Sequence, residues 1–280
     1  MSYCNGKKIF ITGGTAGIGR ALAREMARTG ASVVVAARTQ RGLDRTVDEL
    51  RAAGPHGIHG AVQADVADAA AVVLAAQRAI EILGGLDILV CMSGYSKAGP
   101  TKEVDDADFR RLMDVNFFGH VNVFRALQDH FIMQGHGDVV FVSSMVATFS
   151  VWGYGAYSAS KFAITGFAQA LRQEMMLHGV RVKLFLPPTT DTPGYARENE
   201  GKPALLHELE SGSALNATHD PDKIARAFLS WLPTKRFFGI ATWDSKLQWF
   251  LARHAPELML TIADSELRGA KRRLAKRQSG

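Results

Sequence analysis

A glycine-rich turn near the start of the chain constrains the fold more than any other feature. Lys7–Thr12 has the apolar character of a buried strand, and Ser32–Ala37 (SVVVAA) predicts a second one. Between them, Ala21–Arg28 has the pattern of a helix that ends at Gly30. The order strand, glycine-rich turn, helix, strand predicts a βαβ unit with two parallel strands.

The glycines of this turn have separate physical roles. Gly13 permits a tight turn, Gly17 lets the backbone approach a pyrophosphate group, and Gly19 allows close packing of the helix. The helix N-terminus offers amide donors and a positive dipole end to the phosphates. In an isolated loop these glycines would indicate only a turn, but within a βαβ unit they predict dinucleotide binding.

The ends of the next two strands indicate which dinucleotide binds. Arg38 follows the second predicted strand, and Arg41 is close by. An acid at this point would accept hydrogen bonds from a ribose diol, whereas an arginine suits the 2′-phosphate of NADP. The alternative is a solvated arginine at a strand end. Asp65 follows the third predicted strand, Gly57–Gln63, and is expected to face the same crevice.

A second informative stretch covers Val139–Leu177. It predicts a buried strand over Val139–Ser143 and, after an irregular segment, a helix that begins near Ala156. Tyr157 and Lys161 stand four residues apart and therefore share one face of that helix.

These side chains predict a proton donor for a carbonyl group. An ammonium group next to a phenol favours the phenolate, so we expect Lys161 to lower the pKa of Tyr157 from about 10 toward neutral pH. Ser144 follows the strand and is expected to hydrogen-bond the same carbonyl oxygen. A tyrosine and a lysine at helical spacing also occur as a solvated surface pair, which is the alternative interpretation.

The remaining chain continues the alternation of strands and helices. Further strands are predicted over Leu86–Cys91, Val180–Leu186 and Phe237–Ile240, and further helices over Ala69–Leu83, Asp105–Gln134 and Pro221–Trp231. Asn116 lies inside the longest of these helices, where a polar side chain needs a local partner. Residues 188–217 are punctuated by proline and glycine and predict a lid, because regular structure resumes after them.

The composition favours a cytosolic α/β protein. Hydrophobic residues make up 47% of the 280 residues, which is enough for a core without disulfide or metal support. Cys4 and Cys91 lie far apart and are expected to be reduced thiols rather than metal ligands. The first residues lack the apolar core of a signal peptide, and no run of about 18 apolar residues predicts a membrane span.

The net charge of +6 is local. Residues 268–280 carry six basic side chains and no acid, whereas the rest of the chain has 27 basic and 27 acidic side chains. A protein that binds nucleic acid more often spreads its positive charge over a face. We therefore expect no nucleic-acid partner.

These residues together resemble the short-chain dehydrogenase/reductase family over about residues 7–240. The matching positions are Thr12, Gly13, Gly17 and Gly19 in its glycine pattern, Ser144, Tyr157 and Lys161 in its active-site pattern, and Asn116 as its helix asparagine. The resemblance implies an α/β, Rossmann-type, doubly wound parallel sheet of strand order 3-2-1-4-5-6-7 in a three-layer αβα arrangement. It also implies a homodimer or homotetramer that pairs the long fifth and sixth helices.

The same resemblance implies the roles of the site residues. The catalytic set is Asn116, Ser144, Tyr157 and Lys161, with Tyr157 protonating the alkoxide, Lys161 binding the nicotinamide ribose and Asn116 holding a water that relays protons. The residues implied to bind NADP(H) are Gly13, Thr15, Gly17, Ile18, Gly19, Arg38, Asp65, Val66, Gly94, Tyr157, Lys161, Pro187, Thr190 and Thr192.

Two positions depart from the family pattern. The turn after the fourth strand, usually Asn-Asn-Ala-Gly, is Cys91-Met92-Ser93-Gly94 here, and only the glycine is kept. Because the first asparagine of that turn is chiefly structural in the family, the departure concerns local bonding more than catalysis. Pro188 stands where the family usually has glycine after the sixth strand.

The segment after the sixth strand also indicates a substrate. Its sequence PPTTDTPGY is similar to that of the 3-ketosphinganine reductases within the family, which implies a long-chain lipid with a 3-ketone and a 2-amino group. Apolar lid residues that suit the chain are Tyr195, Leu205, Leu206 and Leu209, although ordinary packing explains each of them equally well. The alternatives are a reductase of another apolar ketone, such as a steroid or 3-oxoacyl chain, and a catalytically silent NADP(H)-binding sensor or scaffold.

We therefore divide the chain into an NADP-binding catalytic domain, 1–242, with its lid at 188–217, and a segment of amphipathic helices and basic tail, 243–280. Apolar residues that share one face of the first helix are Trp243, Leu247, Phe250 and Leu251, with His254, and Pro256 is predicted to end that helix. In one interpretation this face packs on the catalytic domain. In the other, it and the basic tail attach a cytoplasmic protein to an anionic membrane surface.

Overall fold

The computed structural model describes residues 2–212 and 217–278. The predicted lid and tail therefore each include a few positions, 213–216 and 279–280, that lie outside the described residues. A seven-stranded sheet forms the centre, with the strand order β3-β2-β1-β4-β5-β6-β7 and parallel pairing throughout. The strands are β1 (Lys8–Thr12), β2 (Ser32–Ala37), β3 (His59–Gln63), β4 (Ile88–Cys91), β5 (Gly137–Val142), β6 (Val180–Leu186) and β7 (Phe238–Ile240). The predicted strand order is confirmed.

Helices cover both faces of the sheet, which explains why the central strands are apolar on both sides. The described helices are α1 (Gly17–Arg28), α2 (Gln40–Ala53), α3 (Ala69–Leu83), α4 (Asp106–Met113), α5 (Gly119–Gln134), α6 (Gly155–Met176), α7 (Pro193–Glu200), α8 (Ala204–Gly212), α9 (Pro221–Trp231), α10 (Trp243–His254) and α11 (Pro256–Gln278). One core contains α1, α2 and α9, and the other contains α3, α5 and α6. This is the predicted three-layer arrangement.

The long helix predicted over Asp105–Gln134 is wrong as a single α-helix. α4 ends at Met113, a wider π-helical turn covers Asp114–Phe118, and α5 begins at Gly119. Such turns insert one extra residue and commonly occur at functional sites. Here the turn contains the buried Asn116.

The C-terminal segment forms two helices. Pro256 follows the end of α10 as predicted, but it also begins the 23-residue helix α11. α11 packs against the lid helix α8. The apolar face of α10 stays exposed, with Trp243 at 76% and Phe250 at 53%. No helix among the described residues combines the length and the apolar character needed to cross a bilayer.

Candidate active site

A cavity of about 1020 Å³ lies at the carboxyl ends of the strands. The order of the sheet reverses between β1 and β4, and an open parallel sheet binds ligands at such a point. Every residue implied to bind NADP(H) lines this one cavity: Gly13, Thr15, Gly17, Ile18, Gly19, Arg38, Asp65, Val66, Gly94, Tyr157, Lys161, Pro187, Thr190 and Thr192. Ser144 lines it as well, whereas Asn116 is fully buried behind it.

The glycine-rich loop after β1 leaves room that side chains would fill. A Cβ atom on Gly19 would lie 2.2 Å from the Gly13 carbonyl oxygen, and one on Gly13 would lie 2.9 Å from Ser93 Cα. Gly17 has φ +51°, and a Cβ there would lie 2.8 Å from Thr192 Cγ2. The loop ends at the first turn of α1, whose amide groups point toward the cavity end of the sheet. This cradle fits the pyrophosphate of a dinucleotide.

Charged side chains stand at the ends of β2 and β3. Arg38 is exposed at the rim of the cavity, and its carbonyl accepts a hydrogen bond from Gln63 Nε2 at 2.7 Å. Arg111 forms an ion pair with Asp65 at 2.5 Å. Burial acts to raise the pKa of Asp65, but hydrogen bonds from the Ala67 amide and from Arg111 outweigh it and hold that pKa below its usual value. Asp65 is therefore a carboxylate at neutral pH, and Arg111 is a cavity residue that the sequence analysis missed.

The unusual turn after β4 is held by side chains from other elements. The Thr12 hydroxyl accepts hydrogen bonds from the amides of Met92 at 3.2 Å and Ser93 at 3.4 Å. His120 Nε2 lies 2.9 Å from the Ser93 carbonyl. Burial lowers the pKa of His120 to about 3, so the ring is neutral and donates to that carbonyl. These contacts supply the local bonding that the missing asparagine put in question.

Asn116 connects the turn after β4 to the catalytic helix α6. Its Oδ1 accepts from the Tyr95 amide at 3.0 Å, and its Nδ2 donates to the Tyr95 carbonyl at 2.9 Å and to Ser160 Oγ at 3.0 Å. A Cβ atom on Gly94 would lie 3.0 Å from Asn116 Oδ1 and 3.3 Å from Lys161 Nζ. Asn116 therefore lies beside Lys161, and glycine at position 94 allows the close approach.

Ser144, Tyr157 and Lys161 meet where β5 and α6 adjoin. Ser144 is the second residue after β5 and caps a short 3-10 helix, with its Oγ 3.4 Å from the Val146 amide. Lys161 Nζ lies 5.8 Å from the centroid of the Tyr157 ring and donates to the Val142 carbonyl at 3.3 Å. Lys161 is only 5% exposed. The pair is therefore not a solvated surface pair.

The protonation states of this group differ from the expectation. Burial raises the pKa of Tyr157 to about 12; a hydrogen bond from Ser144 acts in the opposite direction, and the charge of Glu198 raises the pKa further. Burial lowers the pKa of Lys161 to about 8. The expectation that Lys161 lowers the pKa of Tyr157 is wrong in this structure, because removing the phenol from water has the larger effect.

The arrangement can give a proton to an oxygen atom. At neutral pH the phenol of Tyr157 keeps its proton, and Lys161 keeps most of its positive charge. Ser144 provides a second hydroxyl next to the phenol. A carbonyl oxygen between the two hydroxyls would receive hydrogen bonds as negative charge develops on it.

The far wall of the cavity comes from segments distant in sequence. The cavity residues that the sequence analysis missed on this side include Ser96, Tyr154, Glu198, Glu210, Met259, Ile262 and Glu266. Of the predicted lid residues, Tyr195 and Leu209 line the cavity, Leu206 is fully buried and Leu205 is partly buried in the same apolar cluster. Tyr154 stands three residues before Tyr157, a helical spacing that could have indicated it.

The basic C-terminal helix α11 forms ion pairs with the lid helix α8. Glu208 of α8 is buried, and its carboxylate accepts from Arg273 Nε at 2.7 Å and pairs with Arg277 at 2.9 Å. Arg273 also donates to the Glu208 carbonyl at 2.9 Å. Arg273 and Arg277, two basic side chains of the tail, thus bind the lid.

Comparison with known proteins gives a consistent result. Residues 7–203 match the sequence pattern of the protein family described as short chain dehydrogenase. The chain is 35% identical to the 3-dehydrosphinganine reductase of Danio rerio, over 79% of this chain and 67% of that protein.

Two solved structures are similar as well. One is a short chain dehydrogenase/reductase of Burkholderia phymatum in complex with NAD, with a TM-score of 0.79, 25% identity and coverage of 92% of this chain and 96% of that one. The other is a short chain dehydrogenase of Burkholderia cenocepacia in complex with NADP, with a TM-score of 0.72, 28% identity and coverage of 85% and 95%.

The parallel sheet, the glycine cradle and the tyrosine in the cavity define a Rossmann-type oxidoreductase. The chain belongs to the short chain dehydrogenase family. It is an NAD(P)H-dependent reductase that acts on a carbonyl group.

Proposed function

We propose that the protein reduces 3-ketosphinganine to sphinganine with NADPH, as a step of sphingolipid biosynthesis. The observation that carries the chemistry is the half-buried, protonated Tyr157 next to Ser144 and Lys161, in the same cavity as the glycine cradle. The substrate is supported by the 35% identity to a 3-dehydrosphinganine reductase.

The residues have distinct tasks in this proposal. When bound, the nicotinamide supplies a hydride to the ketone carbon. Tyr157 gives its proton to the ketone oxygen, and Ser144 hydrogen-bonds the same oxygen. Lys161 places a positive charge behind the phenol and is close enough to Gly94 to reach a ribose in the crevice. Asn116 fixes the turn beside Lys161 and, in our proposal, positions the water through which protons are replaced.

The test is direct. Purified protein is incubated with NADPH and 3-ketosphinganine, and sphinganine is quantified by mass spectrometry while NADPH consumption is followed at the same time. We expect matching amounts of both. A panel that includes a steroid ketone and a 3-oxoacyl thioester addresses the rival substrates: equal or faster turnover of either would contradict the assignment.

We propose that Arg38 selects NADPH over NADH. It is an exposed cation at the end of β2 on the cavity rim, where a 2′-phosphate would accept its hydrogen bonds. Arg38→Asp is expected to reverse the preference, measured as the ratio of kcat/KM for the two cofactors. Arg41→Asp makes the same charge change three residues later, at a position that does not line the cavity, and should leave most of the preference intact. An unchanged ratio in Arg38→Asp would reject the assignment.

We propose that the division at residue 242 separates the nucleotide-binding body from a segment that completes the substrate side. In this proposal the described lid residues, 188–212 and 217, cover the carbonyl pocket, and α11 supplies Met259 and Ile262 to the cavity wall. The exposed apolar face of α10 then offers a contact for a membrane surface, which is where a lipid ketone would be found.

Attachment to an anionic membrane has a specific test. Full-length protein and the double variant Trp243→Ser/Phe250→Ser are sedimented with vesicles of phosphatidylcholine and phosphatidylserine at low and high salt. Wild-type protein is expected to sediment, and the variant to remain in the supernatant. Wild-type protein that stays in the supernatant at low salt would reject attachment. A salt-insensitive interaction would show that the basic tail contributes little.

We propose a homo-oligomer that pairs α5 and α6. Apolar side chains on these helices are exposed, with Met133 at 81% and Phe162 at 44%. The exposure of Phe162 shows that this position of α6 does not face the core. Light scattering during size-exclusion chromatography should give at least a dimer, and Phe162→Glu should shift the mass toward a monomer.

A further inference from the structure

A buried, charged cluster lies on the lid side of the cavity. Glu198 of α7 and Glu210 of α8 both accept from the Tyr154 hydroxyl, the second at 2.7 Å. Lys202 Nζ lies 3.1 Å from Glu198 Oε1 and 2.7 Å from Glu210 Oε2. The Ser96 hydroxyl donates to the other oxygen of Glu198. The cluster thus joins the lid to the wall of the active site.

The charges in this cluster do not balance. Two carboxylates share the single ammonium group of Lys202, and within the described chain no other cation is within ion-pair distance of either carboxylate. Burial and the two carboxylates raise the pKa of Tyr154, which is therefore a neutral donor. The side chain of Lys202 is 0% exposed and that of Glu198 is 7% exposed. An excess negative charge in such a place is unfavourable unless a cation joins it.

The excess charge lies beside the catalytic tyrosine. The ring of Tyr154 is 6.1 Å from the ring of Tyr157, and both line the same cavity as Glu198 and Glu210. The charge of Glu198 reaches Tyr157, because it contributes to the raised pKa of that phenol. A cation that balanced the cluster from the cavity would therefore be next to the reacting carbonyl group.

Glu198 is the better placed of the two carboxylates for this task. Glu210 has the shorter contact with Lys202, at 2.7 Å against 3.1 Å for Glu198. Among the described contacts, each carboxylate also has one oxygen that is bound only to a neutral hydroxyl, Ser96 for Glu198 and Tyr154 for Glu210. The charge of Glu198 is the one that raises the pKa of Tyr157, so Glu198 is the carboxylate that acts on the reacting group.

We infer that Glu198 binds the protonated amine on the carbon next to the substrate ketone, and so selects amino ketones over neutral ketones. This inference rests on the proposed function and adds its specificity-determining residue. The carboxylate would stabilise the ammonium form of the amine and, through it, fix the position of the adjacent carbonyl group. A neutral ketone would leave the excess charge of the cluster without a partner.

The experiment compares two ketones of equal chain length. One is 3-ketosphinganine, and the other is 1-hydroxyoctadecan-3-one, which lacks the amine. Wild-type protein is expected to prefer the amino ketone by at least about tenfold in kcat/KM. Glu198→Gln keeps the shape and an oxygen acceptor but removes the charge. It should remove most of this preference, chiefly through a raised KM for the amino ketone, with KM for the neutral ketone changed less than about twofold.

A matched control separates selection from lid stability. Glu208→Gln removes a carboxylate from the same lid, but Glu208 pairs with α11 and is not part of the cavity lining. This variant should keep the wild-type ratio of kcat/KM for the two ketones. If Glu198 only held the lid closed, Glu198→Gln would reduce turnover of both ketones by the same factor, and the inference would be overturned.

Binding by wild-type protein gives a result that depends on neither turnover nor a variant. Calorimetry in the presence of NADP should show tighter binding of sphinganine than of octadecane-1,3-diol, by at least about tenfold. Equal affinities would overturn the inference even if 3-ketosphinganine is reduced. Failure to reduce either ketone would instead contradict the proposed function. The same binding comparison, repeated with Glu198→Gln, would still decide the role of Glu198: the variant should bind both diols with similar affinity, and a wild-type preference that survives in the variant would overturn the inference.

Discussion

The two sides of the cavity are built in different ways. On the cofactor side, one continuous segment, β1 to β2, provides the cradle, and backbone geometry and glycines decide its shape. On the lid side, buried charges from α7, α8 and α11 meet side chains of the catalytic wall. The first surface suits a cofactor that many proteins share, and the second can be altered by exchanging single charged residues. Changes to the two sides should therefore alter different kinetic parameters.

The largest effect is expected at the residue that both sides share. Tyr157→Phe removes only the acidic proton, and kcat should fall by about two to four orders of magnitude. Cofactor affinity and melting temperature should stay close to those of wild type, because the ring still fills its place. A near-native kcat would show that Tyr157 is not the proton donor.

A glycine substitution tests the cofactor side. Gly19→Ala would place a methyl group 2.2 Å from a backbone oxygen, so the loop must shift at a cost of about 1–3 kcal/mol. Titration of NADPH fluorescence should show an affinity loss of about tenfold or more. Gly166→Ala is the matched control, because a Cβ at this exposed position of α6 meets nothing within 4 Å. Equal NADPH affinities for the two variants would contradict the conclusion that the glycine-rich loop after β1 binds the pyrophosphate.

The pH dependence tests the charge behind the phenol. Lys161 has a pKa of about 8, so it carries its positive charge below this pH and loses it above. We expect kcat for ketone reduction to fall by about tenfold per pH unit above about 8. Lys183 has a similar pKa but donates to the carbonyl of Leu232, away from the cavity. Lys183→Met should leave the midpoint of the kcat–pH profile unchanged. If kcat of the wild-type protein stayed constant up to pH 10, the reaction would not need the positive charge of Lys161.

The smallest effect is expected at the ion pairs of Glu208 in the lid with Arg273 and Arg277 in α11. Arg273→Met leaves Glu208 with Arg277 alone, and because Arg273 is half exposed we expect a loss of only about 1 kcal/mol. KM for the ketone should rise about fivefold while the affinity for NADPH stays unchanged. Arg268→Met removes a charge from the exposed part of the same helix and should change neither value. If Arg273→Met changed the affinity for NADPH and left KM for the ketone unchanged, the idea that the lid side and the cofactor side control different kinetic parameters would be contradicted.

The two sides also differ in how far the sequence predicts them. The cradle and the positions of Tyr157 and Lys161 depend on residues close together in the chain, so spacing and periodicity predict where they stand. Glu198 meets Tyr154 and Ser96, and Arg273 meets Glu208, only through tertiary packing, and nothing in the local sequence indicates these contacts. The predicted direction of the Tyr157 pKa shift is wrong for the same reason. The shift follows from burial, which depends on the whole fold and not on Lys161, four residues away in the chain.

The contact between Thr192 and Gly17 has a consequence for the order of events in a turnover. Thr192 lies against the glycine loop and also accepts the hydrogen bond of the Tyr195 amide that starts α7. A dinucleotide seated in the loop would therefore set the start of the lid helix before any ketone arrives. Turnover should then be sequential, with the nucleotide first on and last off, and NADP should inhibit competitively against NADPH at every ketone concentration.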